Sequence, residues 1–162
     1  MKYIICDIDG TLAEKYEDRD IYDASLCHKD KVIKATQTIL RGIESKNEYA
    51  DDDSYIHIIY MSGRGIDCEK ETRDWLEAKA EVRIFDNIKG FERKFYNLYM
   101  RKRGDNREDA VVKKELLEQF LKDYKAKKED ILFVIDDRLS VIDMWLKEGL
   151  FVFNVNNGRG DF

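Results

Sequence analysis

Lys2-Tyr3-Ile4-Ile5-Cys6-Asp7-Ile8-Asp9-Gly10-Thr11 is the stretch on which the fold turns. Its apolar run, Lys2 to Cys6, is too short for a helix and stops at an acidic residue, the pattern of a buried strand that ends at a polar turn. The same punctuation recurs twice. Tyr55 to Met61 is β-branched and aromatic and ends at Ser62-Gly63-Arg64, and Ile131 to Ile135 ends at Asp136-Asp137-Arg138. Helical spacing fills the intervals. Val32, Ile33, Thr36, Ile39, Leu40 and Ile43 predict a helix from about Asp30 to Lys46, and Trp75 and Leu76 mark the inner face of one over Asp67 to Ala80. Val112, Leu116, Leu117, Phe120, Leu121 and Tyr124 form one stripe of a helix over Asp109 to Tyr124, and Val141 to Lys147 continues helically until Gly149. Residues 82–100 read as irregular strand, strongest at Tyr96 to Met100, and Leu150 to Asn154 is a final strand. Strands alternating with helices predict an α/β chain, a parallel sheet with helices on both faces. Without a repeat or linker, residues 1–162 are expected to form a single domain.

Composition narrows the partners. Charged residues make up 39% of the chain and the net charge is −5, which argues against wholesale coating of DNA. The apolar runs are far shorter than the ~20 residues of a membrane span. Met1 to Asp7 lacks the pattern of a secretion signal. Cys6, Cys27 and Cys68 form no Cys-x-x-Cys, so neither a disulfide framework nor a zinc site is expected and a reducing cytoplasm fits best.

The three polar clusters carry the chemistry. In an open parallel sheet the carboxyl ends of the strands share one edge, where ligands bind. Asp7, Asp9, Asp136 and Asp137 would converge there with Thr11, Ser62, Arg64 and Arg138. Four gathered carboxylates repel unless a divalent cation neutralises them, and hard oxygen donors with few histidines favour Mg²⁺ over zinc. Asp-Gly turns and Ser-Gly-Arg loops are each commonplace; three polar clusters on successive strand ends are not.

The run from Ile4 to Thr11 resembles the first signature of haloacid-dehalogenase (HAD) phosphatases. The resemblance implies a doubly wound, Rossmann-like sheet with a small or minimal cap. It also implies that Asp7 attacks phosphorus to form an aspartyl-phosphate while Asp9 protonates the leaving alcohol and then activates water. Ser62 resembles the second signature, a hydroxyl for a phosphoryl oxygen; Lys113 resembles the third, a cation beside the nucleophile. Asp136 and Asp137 resemble the fourth, an acidic pair that holds Mg²⁺ with Asp7 and Asp9. Phosphoryl transfer suits such a site because it needs chiefly alignment and charge neutralisation.

The likeness narrows further. Arg19 with Tyr22-Asp23, Met61-Ser62-Gly63-Arg64, the stretch Gly104 to Glu115, Ile135 to Arg138 with Val141, Met144-Trp145 and Gly149, and the terminal Gly160-Asp161-Phe162 are similar to blocks of the 3′-phosphatase domain of phage-type polynucleotide kinases. Thr11, Arg19, Gly63, Arg64 and Asp109 become candidate substrate contacts by that resemblance, Asp109 as the group that orients Lys113 or an arginine. Two departures stand out. No Gly-x-x-x-x-Gly-Lys-Ser/Thr occurs, so 5′ phosphorylation is not expected of these residues, and residues 83–94 are longer than the family pattern.

Residues 89–107 carry seven basic side chains against Glu92 and Asp105, interleaved with Phe91, Phe95, Tyr96 and Tyr99. That composition suits a single-strand nucleic-acid surface and equally suits aromatics in a core with solvated basic residues. The leading expectation is a Mg²⁺-dependent phosphatase acting on 3′-phosphorylated RNA or DNA ends or nucleotides. The alternatives are a nucleotidase, a small-metabolite phosphatase, a phosphatase subunit of a larger repair assembly, or a binding module without catalysis. The paired Asp7 and Asp9 speak against the last.

Overall fold

The computed structural model describes residues 1–17, 24–51, 53–84 and 96–158. In chain order these form β1 (Lys2–Cys6), the short β2 (Ala13–Glu14) and β3 (Lys31–Val32), α1 (Lys34–Asn47), β4 (Ile56–Gly65), α2 (Glu69–Ala78), β5 (Leu98–Arg101), α3 (Asp109–Tyr124), β6 (Ile131–Asp136), α4 (Leu139–Lys147) and β7 (Val152–Asn154). Five strands make one sheet in the order β5-β4-β1-β6-β7, every pair parallel.

The strict alternation of β1 places its side chains in two cores. Ile4 and Cys6 meet Leu40 of α1 and Trp75 and Leu76 of α2. Tyr3 and Ile5 meet Val112, Leu116, Leu117 and Phe120 of α3 and Trp145 of α4 on the other face. The sheet is thus doubly wound, as in a Rossmann-like HAD fold. Phe120 is fully buried and takes the rings of Tyr3 and Tyr99 edge-on, with centroids 5.1 and 6.1 Å away. Cys6, Cys27 and Cys68 are all buried and none forms a disulfide.

Helix α3 coincides with the stripe read from the sequence. Strand β4 does not stop at Met61: it runs on to Gly65, with a break of register between Ser62, opposite Met100, and Gly65, opposite Arg101. Gly63 and Arg64 are the two extra residues of that irregularity, a bulge at a sheet edge near a functional turn. The pairing of β2 with β3 was not legible, because two-residue strands leave no periodicity. Between β1 and α1 the described residues add only this pair and a 3₁₀ turn at Ala24–Lys29. Arg19, Tyr22 and Asp23, most of the long 83–94 stretch and the terminal Gly160-Asp161-Phe162 lie outside the described residues. Among the described residues no helix is long and apolar enough to cross a membrane.

Phe120→Ala should lower unfolding free energy by about 3–5 kcal/mol, the cost of emptying a packed aromatic site. Tyr49→Ala, at a position 92% exposed, should stay within about 0.5 kcal/mol of the native chain. Urea titrations of both variants check the contrast; equal losses would misplace the core.

Candidate active site

The register of β1 against β6 sets Cys6 opposite Ile135, and the Asp7 N–H donates to the Ile135 carbonyl at 3.0 Å. Asp7 and Asp136 therefore leave the sheet side by side. Lys113, from the second turn of α3, is only 1% exposed, and its Nζ lies 2.8 Å from Asp7 Oδ1 and 2.9 Å from Asp136 Oδ2. The Trp145 indole N–H donates to Asp136 Oδ2 at 3.0 Å, and the Arg138 N–H to Asp136 Oδ1 at 3.2 Å. Asp137 is held from two sides. The Thr11 hydroxyl, 3.0 Å from Asp137 Oδ1 and 3.4 Å from Asp7 Oδ2, has one proton and gives it to the nearer oxygen, while Asn156 Nδ2 donates to the Asp137 carbonyl at 2.7 Å. Gly10 sits at φ +83°, where a Cβ would also collide with the Asp137 carboxylate, so glycine is required twice over.

Burial, followed by the charges of Asp136 and Asp137, pushes the Asp7 carboxyl well above the usual carboxylate range, with Lys113 opposing. Lys113 is raised above an ordinary lysine although burial alone would depress it, because Asp136 and Asp7 flank it. One ammonium faces three carboxylates. Asp7, Asp136 and Asp137 each offer an oxygen within 4.8 Å of the others, all buried. That donor set fits a divalent cation, which supplies the positive charge that Lys113 alone does not.

The other side of the site is built on Arg64, whose side chain is fully buried. Its Nε and Nη2 donate to Asp9 Oδ2 and Oδ1 at 2.8 and 2.7 Å, a forked pair, and Nη2 also donates to Asp30 Oδ2 at 2.9 Å. Asp9 was expected among the metal-holding residues; in this geometry its side chain pairs with Arg64, and the described carboxylates with oxygens within 4.8 Å of one another are those of Asp7, Asp136 and Asp137. The cause is the bulge in β4, which swings Arg64 back toward β1, where a guanidinium fork matches a carboxylate better than another acid does. Ser62 Oγ accepts the Arg64 N–H at 3.1 Å, a bond that leaves the serine's own proton uncommitted to Arg64.

Asp109 opens α3 and packs on Gly63, where a Cβ would come 2.6 Å from Asp109 Oδ1. Its carboxylate joins Arg101 Nη2 and, at 2.8 Å, Arg138 Nη1. The orienting role expected of Asp109 is therefore directed in this geometry at two arginines. The described basic residues of the run 89–107 divide between the interior and a surface on which Lys102, Arg103 and Arg107 are exposed. Arg101 and Tyr99 are buried, Arg107 is engaged by Asp105 and Glu115, and Arg103 pairs with Asp67; Lys89, Phe91, Arg93, Lys94 and Phe95 lie outside the described residues.

Asp30 had no signal in the sequence. Flanked by Lys29 and Lys31, it reads as a solvated charge, yet it is 3% exposed, accepts the Tyr16 N–H at 2.9 Å and pairs with an arginine 34 residues away. The indole of Trp145 and the amide of Asn156 were equally silent, because their partners come from other elements.

A buried Asp–Lys–Asp group thus lies at the carboxyl ends of the central strands of a doubly wound parallel sheet, as the resemblance to HAD phosphatases implies. The family model of the polynucleotide kinase PNKP phosphatase domain matches residues 1–162. The chain belongs to that family. It is 31% identical over 142 residues, 88% of its length, to the "Putative bifunctional polynucleotide kinase/RNA ligase" of Autographa californica nuclear polyhedrosis virus, of which it spans 17%. It is similar to a chain of the solved Pnkp1/Rnl/Hen1 RNA repair complex, with a TM-score of 0.73 and 29% identity, over 94% of this chain and 42% of that one. A second solved Pnkp1/Rnl/Hen1 complex gives a TM-score of 0.72 and 30% identity, over 94% and 45%. The chain thus spans about a sixth of the viral relative and less than half of either solved chain.

Asp30→Ala should cost about 3–5 kcal/mol, since it removes one partner of a buried ion pair, and should lower turnover by releasing Arg64 from its place beside Asp9. Denaturant unfolding together with phosphate release from an aryl phosphate measures both. An unchanged stability would mean that the pair is not formed in solution.

Proposed function

We propose that residues 1–162 form one phosphatase domain, a Mg²⁺-dependent phosphomonoesterase that removes 3′-phosphates from RNA or DNA ends. The observation that carries the reading is Lys113, buried between Asp7 and Asp136 with Asp137 alongside, in a chain matched from end to end by a polynucleotide-kinase phosphatase family.

Asp7 Oδ attacks phosphorus in line with the departing 3′ oxygen. The P–O3′ bond breaks while Asp9 gives that oxygen a proton, and phosphorus is left bonded to Asp7. Water then attacks phosphorus, Asp9 takes its proton, and the bond to Asp7 breaks to release inorganic phosphate. Ser62 donates its O–H to a phosphoryl oxygen, Lys113 neutralises the nucleophile and the transferred group, and Arg64 fixes Asp9. Asp7, Asp136 and Asp137 would hold Mg²⁺, which would supply charge neutralisation of the phosphoryl group. Thr11 positions Asp137, Gly63 lines the turn, and Arg19, which lies outside the described residues, is a candidate substrate contact by resemblance alone. We propose a cytoplasmic setting and, by analogy with Pnkp1 beside Rnl and Hen1, further repair domains or subunits as partners.

Asp7→Asn should leave melting temperature within a few degrees while turnover falls by on the order of 10³ or more, since the amide keeps the shape and loses the nucleophile. EDTA should abolish turnover and Mg²⁺ should restore it. Phosphate release from a 3′-phosphorylated oligomer, the matching mononucleotide and an aryl phosphate tests the substrate. The oligomer should be preferred in kcat/KM at low salt, with the preference shrinking as salt displaces phosphate contacts. Equal rates for oligomer and mononucleotide would replace this reading by the nucleotidase one.

A further inference from the structure

We propose that Arg101, in the last position of the edge strand β5, is a positioning residue for phosphoryl transfer. This rests on the phosphatase reading above. The residue is 9% exposed, and its guanidinium spends its donors on four acceptors from three segments. Nε donates to the Gly63 carbonyl at 2.8 Å, Nη1 to the carbonyls of Asp105 and Arg107 at 3.0 and 2.7 Å, and Nη2 to Asp109 Oδ1.

Two of these acceptors, the Gly63 carbonyl and the Asp109 carboxylate, lead to groups of the site. The Gly63 carbonyl shares a peptide plane with the Arg64 N–H, so holding the oxygen on one side aims the N–H on the other at Ser62 Oγ, 3.1 Å away. Ser62 then has its proton to give outward. The same peptide leads into Arg64, which grips Asp9. Asp109 begins α3, and Lys113 lies four residues further on the same helical face. Pinning Asp109 therefore fixes the first turn of the helix that delivers the ammonium to Asp7 and Asp136. The Asp109 carboxylate also holds Arg138, directly after the Asp136-Asp137 pair. Arg101 touches no reacting atom. It sets the distance between the turn carrying Ser62 and Arg64 and the helix carrying Lys113, two groups that must close on one phosphoryl group together.

Arginine is required for the task. A guanidinium presents five N–H donors in a rigid planar fork, whereas an ammonium is a point with three rotatable ones on a different reach. The bulge makes the demand acute: Gly65 opposite Arg101 follows a break in the β4–β5 ladder, so the Gly63 carbonyl is held by a side chain where a strand neighbour would otherwise hold it.

The test is Arg101→Lys and Arg101→Gln against native chain and Arg107→Gln, which loosens the same 102–108 loop without touching Gly63 or Asp109. Only variants melting well above the assay temperature are compared, with an aryl phosphate and saturating Mg²⁺. Misplacing aligned groups by about 1 Å costs on the order of a hundredfold. Arg101→Lys and Arg101→Gln should therefore lose kcat by about that factor while KM moves by less than about threefold, and Arg107→Gln should keep native kcat. A folded Arg101→Lys with native kcat overturns the role, as does an Arg107→Gln that loses kcat equally, since loop support alone would then explain both. A native chain without turnover overturns the phosphatase reading and the role with it.

Discussion

Everything at the functional edge depends on one buried ammonium. Lys113 is taken out of water by the packing of α3 on the sheet and is tolerable there only because Asp7 and Asp136 each come within 3 Å of it. The dependence is mutual. Two carboxylates at adjacent strand ends repel one another in a low-dielectric interior, and the ammonium between them allows both strands to end where they do. This fixes the register of β1 against β6 and the rotation of α3. It also leaves three buried carboxylates grouped around one ammonium, a donor set that suits a divalent cation.

A second charged group mirrors the first. Arg64 is fully buried, with Asp9 on one edge of its guanidinium and Asp30 on the other, and Trp75 lies beneath it with its ring centre 6.0 Å from the guanidinium carbon. The two networks stand on opposite sides of the β1 terminus, so Asp7 and Asp9, two residues apart, belong to different electrostatic surroundings. One is crowded by acids and a lysine, the other clamped by an arginine.

The sequence disclosed those features that are local. The strand endings at Asp7 and Asp136 and the full extent of α3 follow from runs and stripes a few residues long. The lysine of α3 was suggested by its order in a family pattern, and its burial follows from the sheet register, which links residues over a hundred positions apart. What stayed hidden was non-local. Asp30 lies between two lysines and gives no hint of its arginine, the reach of β4 to Gly65 depends on a side chain from β5, and the turn of Asp9 away from the other acids depends on that same irregularity. Arg101, one of seven basic residues in a stretch that suggested a nucleic-acid surface, points inward because four oxygen acceptors meet there. Composition counts charges without knowing which way they face.

The three cysteines carry a consequence for how the chain comes apart. Burial raises the thiols of Cys6 and Cys68, with the charges beside Cys6 adding to it, and Cys27 is fully enclosed. Since the thiolate is the reactive form, the folded chain is protected against oxidants and alkylating reagents on two counts, access and protonation. Each thiol reacts only when its own surroundings let go. Cys6 then reports on the central strand beneath the nucleophile, Cys27 on the turn that leads into β3, and Cys68 on the approach to α2. The order in which the three thiols react would be the order in which their surroundings open.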